Sequence, residues 1–374
     1  MKRFVLFFCL VCIIAANVHA GTRRVGFFGP PVANVDYSTF AAAYTAAVNG
    51  DTILVFPGVT NISQTIAKKL FIFGPGDWLD SLATPKGNAY LQATTGNATV
   101  NTITFASGSD GSIMMGFYGG TYNVQTSYIT IARNRELGVT LLNGNYTYTN
   151  LKLLENYRLS VSANGVYGGS VSSLIIANNL MNSFSTIAGN TYSGTLNNNV
   201  FAYDYTLATN NVNGGTNTMS SASTIELGNG QYAITGNIFV SFQSATVSSN
   251  YLRYNFGDGS NCIYNYNLAL ETATPPNWGA GTGNIITPIA NVSNIFVGFP
   301  AIGTYSADAR YKLAAGSPAA TAAAGGPIGM FAGNAPYKLG LIPPIPTIYK
   351  LSSPQGVNPT GSTITINVST RGNN

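Results

Sequence analysis

An all-β chain wound as a parallel solenoid is the fold this sequence predicts, and three features carry the prediction. Beyond Val48 no segment keeps a helical period long enough for a crossover helix, which argues against ordinary βαβ architecture. Short β-prone runs closed by glycine or asparagine follow one another instead, among them "VNTITFAS", "GSIMMGFYGG", "SYITIARN", "SLIIANN" and "YAITGNIFVS". An asparagine followed by an apolar pair then recurs at Asn179, Asn199, Asn237, Asn267 and Asn294. The first step is 20 residues; the second, of 38, reads as two coils of 19, and those of 30 and 27 read as coils with insertions. A period of about 20 without helices is the mark of a β-solenoid, whose turns stack only on their neighbours. Asparagine suits such positions because it tolerates left-handed backbone and its amide can bond along the stack. On this reading the apolar pairs fill the interior. Periodicity alone leaves a jelly roll or sandwich as the rival.

The elements can be taken in order. Residues 1–20 read as a secretory signal peptide: Lys2 and Arg3 are the positive start, "FVLFFCLVCIIAA" the apolar stretch, and "VHA" the small-residue exit. The run is short for a membrane span, and no later segment reads as a transmembrane helix. The expected location is secreted, extracellular or at the cell surface. Residues 21–33 form an N-terminal extension. Ser38 or Thr39 can cap a helix carrying Phe40, Ala43, Tyr44, Ala47 and Val48, and Asn49-Gly50 ends it. Ile53 to Phe56 and Leu70 to Phe73 are the first strands of the stack. Ile53, Val55, Leu70, Ile72, Ile131, Ile175, Val200, Ile238 and Leu268 are expected to point inward. Pro343, Pro344 and Pro346 read as an extended linker, and Gly361 to Thr370 as a terminal β segment.

Loss of the leader would change the chemistry more than the length. His19 goes with it, and so do Cys9 and Cys12, leaving Cys262 as a free thiol. A disulfide framework, histidine-based acid–base or nucleophilic catalysis and histidine-ligated zinc are then excluded. Lysine and arginine exceed the acids by five in the full chain, and by three without Lys2 and Arg3. Charged residues are only 8 % of the chain and form no long basic run, so no nucleic-acid footprint is expected. Glycine-rich pieces such as "GPGD" lack a Walker lysine and a following helix, which removes phosphate binding.

The stretch Phe40 to Gly76 resembles the start of secreted right-handed parallel β-helix proteins of the pectate-lyase-like superfamily. The residues that carry the likeness are Gly50, Asp51, Thr52, Ile53, Pro57 and Gly58, then Lys69, Leu70, Ile72, Gly74 and Gly76. "YKLAAGSPAA" and the stretch from Gly329 to Gly333 resemble the ending of such proteins from Bacteroidetes-type bacteria, with Pro327 near a place where those often have aspartate. The resemblance implies a right-handed parallel β-helix over residues 34–333 with a short N-terminal cap helix, followed by a Pro-rich linker and terminal β segment over 334–374. It also implies two activities seen on this fold. Lyases of the superfamily use calcium-binding aspartates with an arginine or lysine base, and its hydrolases use clustered aspartates. Neither pattern maps onto this chain residue by residue.

The densest charge cluster is Arg133, Arg135 and Glu136, one coil before Lys152, Glu155 and Arg158. Adjacent coils lie about 4.8 Å apart, which would set Arg133 beside Lys152. The catalytic reading makes Arg133 or Arg158 a base held by Glu136 or Glu155, acting on an acidic sugar. The structural reading makes the cluster an ion-pair ladder that fixes coil register, and arginine's high intrinsic pKa favours it. Asp77 and Asp80 could contribute to a metal site, although two carboxylates make a weak calcium site and a charged turn is the plainer account. Tyr118, Tyr122 and Tyr128 are the carbohydrate-stacking candidates, against an architectural role for stacked aromatics. The leading expectation is a secreted, non-catalytic β-helix module, monomeric, contacting a polysaccharide or cell-surface component and needing no cofactor. The alternative is a lyase or glycoside hydrolase acting on an acidic polysaccharide, with calcium entering only there.

Overall fold

The structure is a computed structural model. It describes residues 20–26, 35–77, 97–141, 146–163, 168–186, 190–202, 223–227, 230–240, 252–255, 261–271, 281–288, 291–299, 305, 307–345, 347–352 and 367–371, with the strands at 223–226, 252–255, 347–352 and 367–371 described for their backbone. Most of the leader, residues 1–19, and Asp80 lie outside this set.

Short strands separated by corners stack in parallel into two long sheets. Sheet one runs through Thr22–Val25, Thr52–Val55, Phe71–Phe73, Ile113–Met115, Thr130–Ala132, Lys152–Leu154, Ser170–Ala177, Thr191–Asn197, Gln231–Thr235 and Ile263–Asn265. Sheet two runs through Ile62–Ile66, Val100–Phe105, Thr121–Val124, Gly138–Leu141, Tyr157–Ala163, Leu180–Ser185, Val200–Phe201, Ile238–Val240, Leu268–Glu271 and Ile285–Pro288. From Thr52–Val55 to Leu268–Glu271 the strands of these two series alternate between the sheets, so each of these coils contributes one strand to either wall of a solenoid. The jelly-roll rival, with antiparallel packed sheets, is replaced by parallel pairing throughout both walls. The helix Phe40–Ala46 begins at Thr39, whose hydroxyl accepts from Ala42 N–H at 3.2 Å. It buries Phe40 and Ala43 in the core beside the first strands. The extension supplies the strand Thr22–Val25, which pairs in register with Thr52–Val55.

Corner geometry is set by an asparagine ladder. Asn134, Asn156, Asn179, Asn199, Asn237, Asn267 and Asn284 stack, and each backbone N–H donates to the next Oδ1 at 2.8–3.0 Å. Their Nδ2 groups donate to that same oxygen and back to a carbonyl of the preceding coil, as Asn199 does to Ile176 O at 2.9 Å. The left-handed residue is the one before each ladder position: Arg133, Glu155, Asn178, Asn198, Gly236, Tyr266 and Gly283 all have φ between 52° and 69°. The ladder asparagines themselves are not left-handed, so their value lies in the amide alone. Asn199 bonds directly to Asn237, and the 38-residue step is therefore one coil with an insertion rather than two coils. Asn294 lies instead in the short helix Val292–Ile295.

The apolar pairs do not both point inward. Ile53, Val55, Leu70, Ile72 and Ile131 are in the central core, whereas Ile175 is half-buried on the outside, with Leu174 and Ile176 taking the inner places. Val200, Ile238 and Leu268 are fully buried in a second cluster with Leu180, Ile295, Phe296 and Met330. Strand alternation puts Phe201, Phe239 and Ala269 inside and their predecessors outside, beneath the chain that follows the last coil. Both faces of these strands are covered, so the sequence there is continuously apolar.

Replacing Asn199 with alanine removes the acceptor for both the backbone N–H and the side-chain amide of Asn179. Unsatisfied buried groups cost about 1–3 kcal/mol each, so urea unfolding should show a loss of about 3 kcal/mol. Asn123→Ala, on the outer face, should fall within about 0.5 kcal/mol of the parent.

Candidate functional site

Residues 132–158, together with Asp77, bring three arginines and three carboxylates to one corner of the solenoid. Arg133 and Glu155 are both left-handed corner residues in consecutive coils, and Arg133 N–H donates to Leu154 O at 3.0 Å. This register stacks Arg133 on Glu155, with Nε and Oε2 2.8 Å apart and both side chains under a tenth exposed. Lys152 instead pairs with Thr130 on the neighbouring strand and is exposed, because the coil here is 22 residues long. Glu136 and Arg158 (φ 54° and 58°) each insert one left-handed residue after the ladder asparagine and its neighbour. Such a bulge turns both side chains to one spot. Glu136 accepts from Arg158 at 2.9 Å, Arg135 at 3.0 Å and the Tyr118 hydroxyl at 2.8 Å. Arg135 also pairs with buried Asp77 at 3.1 Å and lies 5.0 Å over the Tyr118 ring.

This cluster is the seat of the C-terminal chain. From Gly329 to Pro343 that chain runs along the corner towards the N-terminal coils. Gly329 N–H donates to Gly236 O at 2.8 Å, and Asn178 Nδ2 donates to Met330 O and Ala332 O at 3.0 and 2.7 Å. Arg133 donates to Ile342 O at 2.9 Å, and Asp77 N–H to Gly340 O at 3.0 Å. The strap is locked on itself by Asp308, buried, which accepts from Gly340 N–H at 2.9 Å and the Tyr337 hydroxyl at 3.4 Å. Burial, with Asp308 beside it, pushes the Tyr337 hydroxyl well above the usual phenol range.

Chemically, three guanidiniums and three carboxylates pair off to a neutral cluster. Burial pushes the Glu155 carboxyl up, and Arg133 and Lys338 pull it part of the way back. At the opposite end, burial would raise Asp51, but backbone N–H bonds from Gly21 and Val48 and the Arg23 guanidinium hold it below the usual carboxylate range. Asp51 thus joins the extension to the turn before the first long coil.

Of the tyrosine candidates, Tyr118 is half-buried against Glu136 and Tyr128 is 57 % exposed at a left-handed turn. Tyr122 lies wholly inside the solenoid, and its hydroxyl finds no hydrogen-bond partner. Cys262 is buried, and burial raises its thiol pKa. Among the described residues no three His, Cys, Asp or Glu side chains gather as a metal group, and no helix is long and apolar enough to cross a membrane.

A second surface was not singled out from the sequence. Along the outer face of sheet two, in-register partners run in two columns over six coils. The first is Ser63, Thr102, Thr121, Gly138, Ser160 and Ser183, and the second Thr65, Thr104, Asn123, Thr140, Ser162 and Ser185. Ten of the twelve positions carry a hydroxyl and none carries a charge. Pairing the period-2 alternation of each run, such as T-I-T and S-V-S, across neighbouring coils would have found it.

Comparison with protein-family models, curated proteins and solved structures returns no match.

Arg133→Ala leaves Glu155 buried without its partner and should cost about 3 kcal/mol. Glu155 binds its proton more tightly folded than unfolded, so its stabilising share is complete in acid and is lost as pH rises through its elevated pKa. Unfolding of Glu155→Gln followed between about pH 4 and pH 8 should lack that downward slope. Tyr122→Phe should raise stability by about 1 kcal/mol by removing an unpaired buried hydroxyl.

Proposed function

We propose that this chain is a secreted, non-catalytic module that contacts neutral polysaccharide at or outside the cell surface, built as a right-handed parallel β-helix of the pectate-lyase-like type. The observation that carries the reading is the hydroxyl-lined outer face of sheet two. Hydroxyl side chains repeat about every 4.8 Å along the stack and about every 6.6 Å along each strand. They offer donors and acceptors together, without the desolvation cost of a charge. A neutral polymer of hydroxylated rings is the ligand such an array complements.

Several further features favour this account. The leader-like start, with Lys2 and Arg3 before an apolar run, suits export. Right-handed winding is what parallel strands joined by crossovers adopt in nearly every known case. The helix Phe40–Ala46, burying Phe40 and Ala43 at the first strands, fits the role of a terminal cap that shields the open core. The non-catalytic part of the reading rests on the ion pairing of Arg133, Arg158, Glu136 and Glu155 with one another and with the strap. A base or acid engaged in that way is committed to structure.

The test is sedimentation with insoluble neutral glycans, alongside incubation with acidic polysaccharides and calcium to look for unsaturated or reducing products. Thr121→Arg with Ser160→Arg places two charges in one column and should weaken glycan binding at least about tenfold, since each desolvated charge costs more than the hydroxyl it replaces. Melting should be unchanged. Equal binding by the variant would remove this face from the reading. Product release abolished by Arg158→Ala would replace the reading with the catalytic one.

A further inference from the structure

The outer face of sheet one has a different chemistry. Two in-register columns cross it: Thr52, Phe71, Ile113, Thr130, Lys152 and Ile175, and beside them Leu54, Phe73, Met115, Ala132, Leu154 and Ala177. Nine of these twelve side chains are apolar and one is charged. Leu54, Phe71, Phe73, Ile113, Met115 and Leu154 are each half-buried rather than covered. A contiguous apolar strip of this kind marks an interaction surface.

The chain itself ends its path at the edge of this strip. A Cβ on Gly116, the residue after Met115, would stand 2.7 Å from Pro343 Cγ, and one on Gly76 would stand 3.1 Å from Ile342 Cα. Ala132, in the column next to that corner, is already 1 % exposed. Four residues beyond Pro343 the strand Thr347–Ser352 begins, paired antiparallel with Asn367–Arg371. A lone two-stranded hairpin is marginal in water and needs a surface to cover it. Its register sets Leu351 opposite Val368, and the sequence entering the second strand alternates apolar with polar residues at Ile364, Ile366 and Val368, a one-sided β pattern. A six-residue strand spans about 20 Å, and five coil steps span about 24 Å, so the hairpin and the strip match in length.

We propose that the apolar outer face of sheet one, centred on Phe73 and Met115, is the docking surface of the chain's own terminal hairpin, residues 347–371. The strap delivers the hairpin to the corner, and face-to-face sheet packing covers both apolar sides at once. Lys152 within the strip and Lys350 on the first hairpin strand are then near neighbours.

The native full chain provides the test. Treatment with a short amine-reactive cross-linker should give a Lys152–Lys350 link by mass spectrometry. In a mixture of light and isotopically heavy protein, that link should join peptides of one label only. Met115→Glu should cut its yield at least about fivefold and speed proteolysis between residues 353 and 366 at least about tenfold, in keeping with release of a locally stable unit. The melting of the solenoid should stay as in the parent. Absence of the link, or a link mainly between differently labelled copies, overturns the proposal, the second result assigning the strip to a second copy of the chain. Unchanged cross-linking and proteolysis in Met115→Glu would overturn it as well.

Discussion

From Asn134 to Asn284 the coils are registered by one repeated amide contact. A solenoid of short strands has loops of unequal length between its walls, and the coils of this chain step by 17 to 38 residues along the ladder. Each corner nevertheless returns to the same place because a left-handed residue is followed by an asparagine. That asparagine accepts a backbone N–H and an amide from one neighbouring coil and donates to the other. The bonds are buried, where an unmade partner costs about 1–3 kcal/mol, so slippage by one residue is penalised at every step. Register then dictates which side chains meet on either outer wall.

Once register is fixed, the outer columns divide the surface by chemistry. Next to the ladder, one column runs Tyr118, Arg135, Tyr157, Leu180, Val200, Ile238 and Leu268. Its apolar part receives the helix and turns after the last coil, and its charged part receives Gly340 to Pro343. The arginines and acids there compensate one another at close range, and Arg133 also donates from Nη1 to a strap carbonyl. Removing one partner from such a buried pair is costly even though the pair itself contributes little net stability. The cluster therefore acts most strongly as a specifier of where the strap lies, with Asp308 and Tyr337 holding the strap's own bend.

Much of this was legible in the sequence, and the failures have physical causes. Gly50 to Gly76 announced the first coils, and four of the five asparagines sit on the ladder. Asn134 and Asn156 escaped because arginine or tyrosine follows them where an apolar pair was sought. In those coils the bulges at Glu136 and Arg158 displace the pattern by one residue. Val200, Ile238 and Leu268 were assigned inward because an apolar pair on a one-sided strand has nowhere else to go, and the sequence gives no local sign that a distant segment covers the outside. Arg133 was set against Lys152 by assuming a coil of about 20 residues, whereas a 22-residue coil puts Glu155 there. The hydroxyl columns were hidden for the opposite reason: together they take only two ordinary residues from each strand, and they become a surface only when six coils are aligned.

The two walls can differ this sharply because the core makes the same demand on both. Every inward position needs an apolar side chain of fitting volume, so Ile53 and Ile72 on one wall are interchangeable in kind with Ile103 and Val124 on the other. Outward positions carry no such requirement, and β-propensity alone would let threonine, valine, isoleucine or tyrosine serve equally. Yet threonine and serine gather on sheet two while phenylalanine, leucine, isoleucine and methionine gather on sheet one over the same coils. A common structural pressure would have given both walls the same mixture. The two neighbours proposed above, one hydrated and hydrogen-bonding and one dry, would account for that segregation.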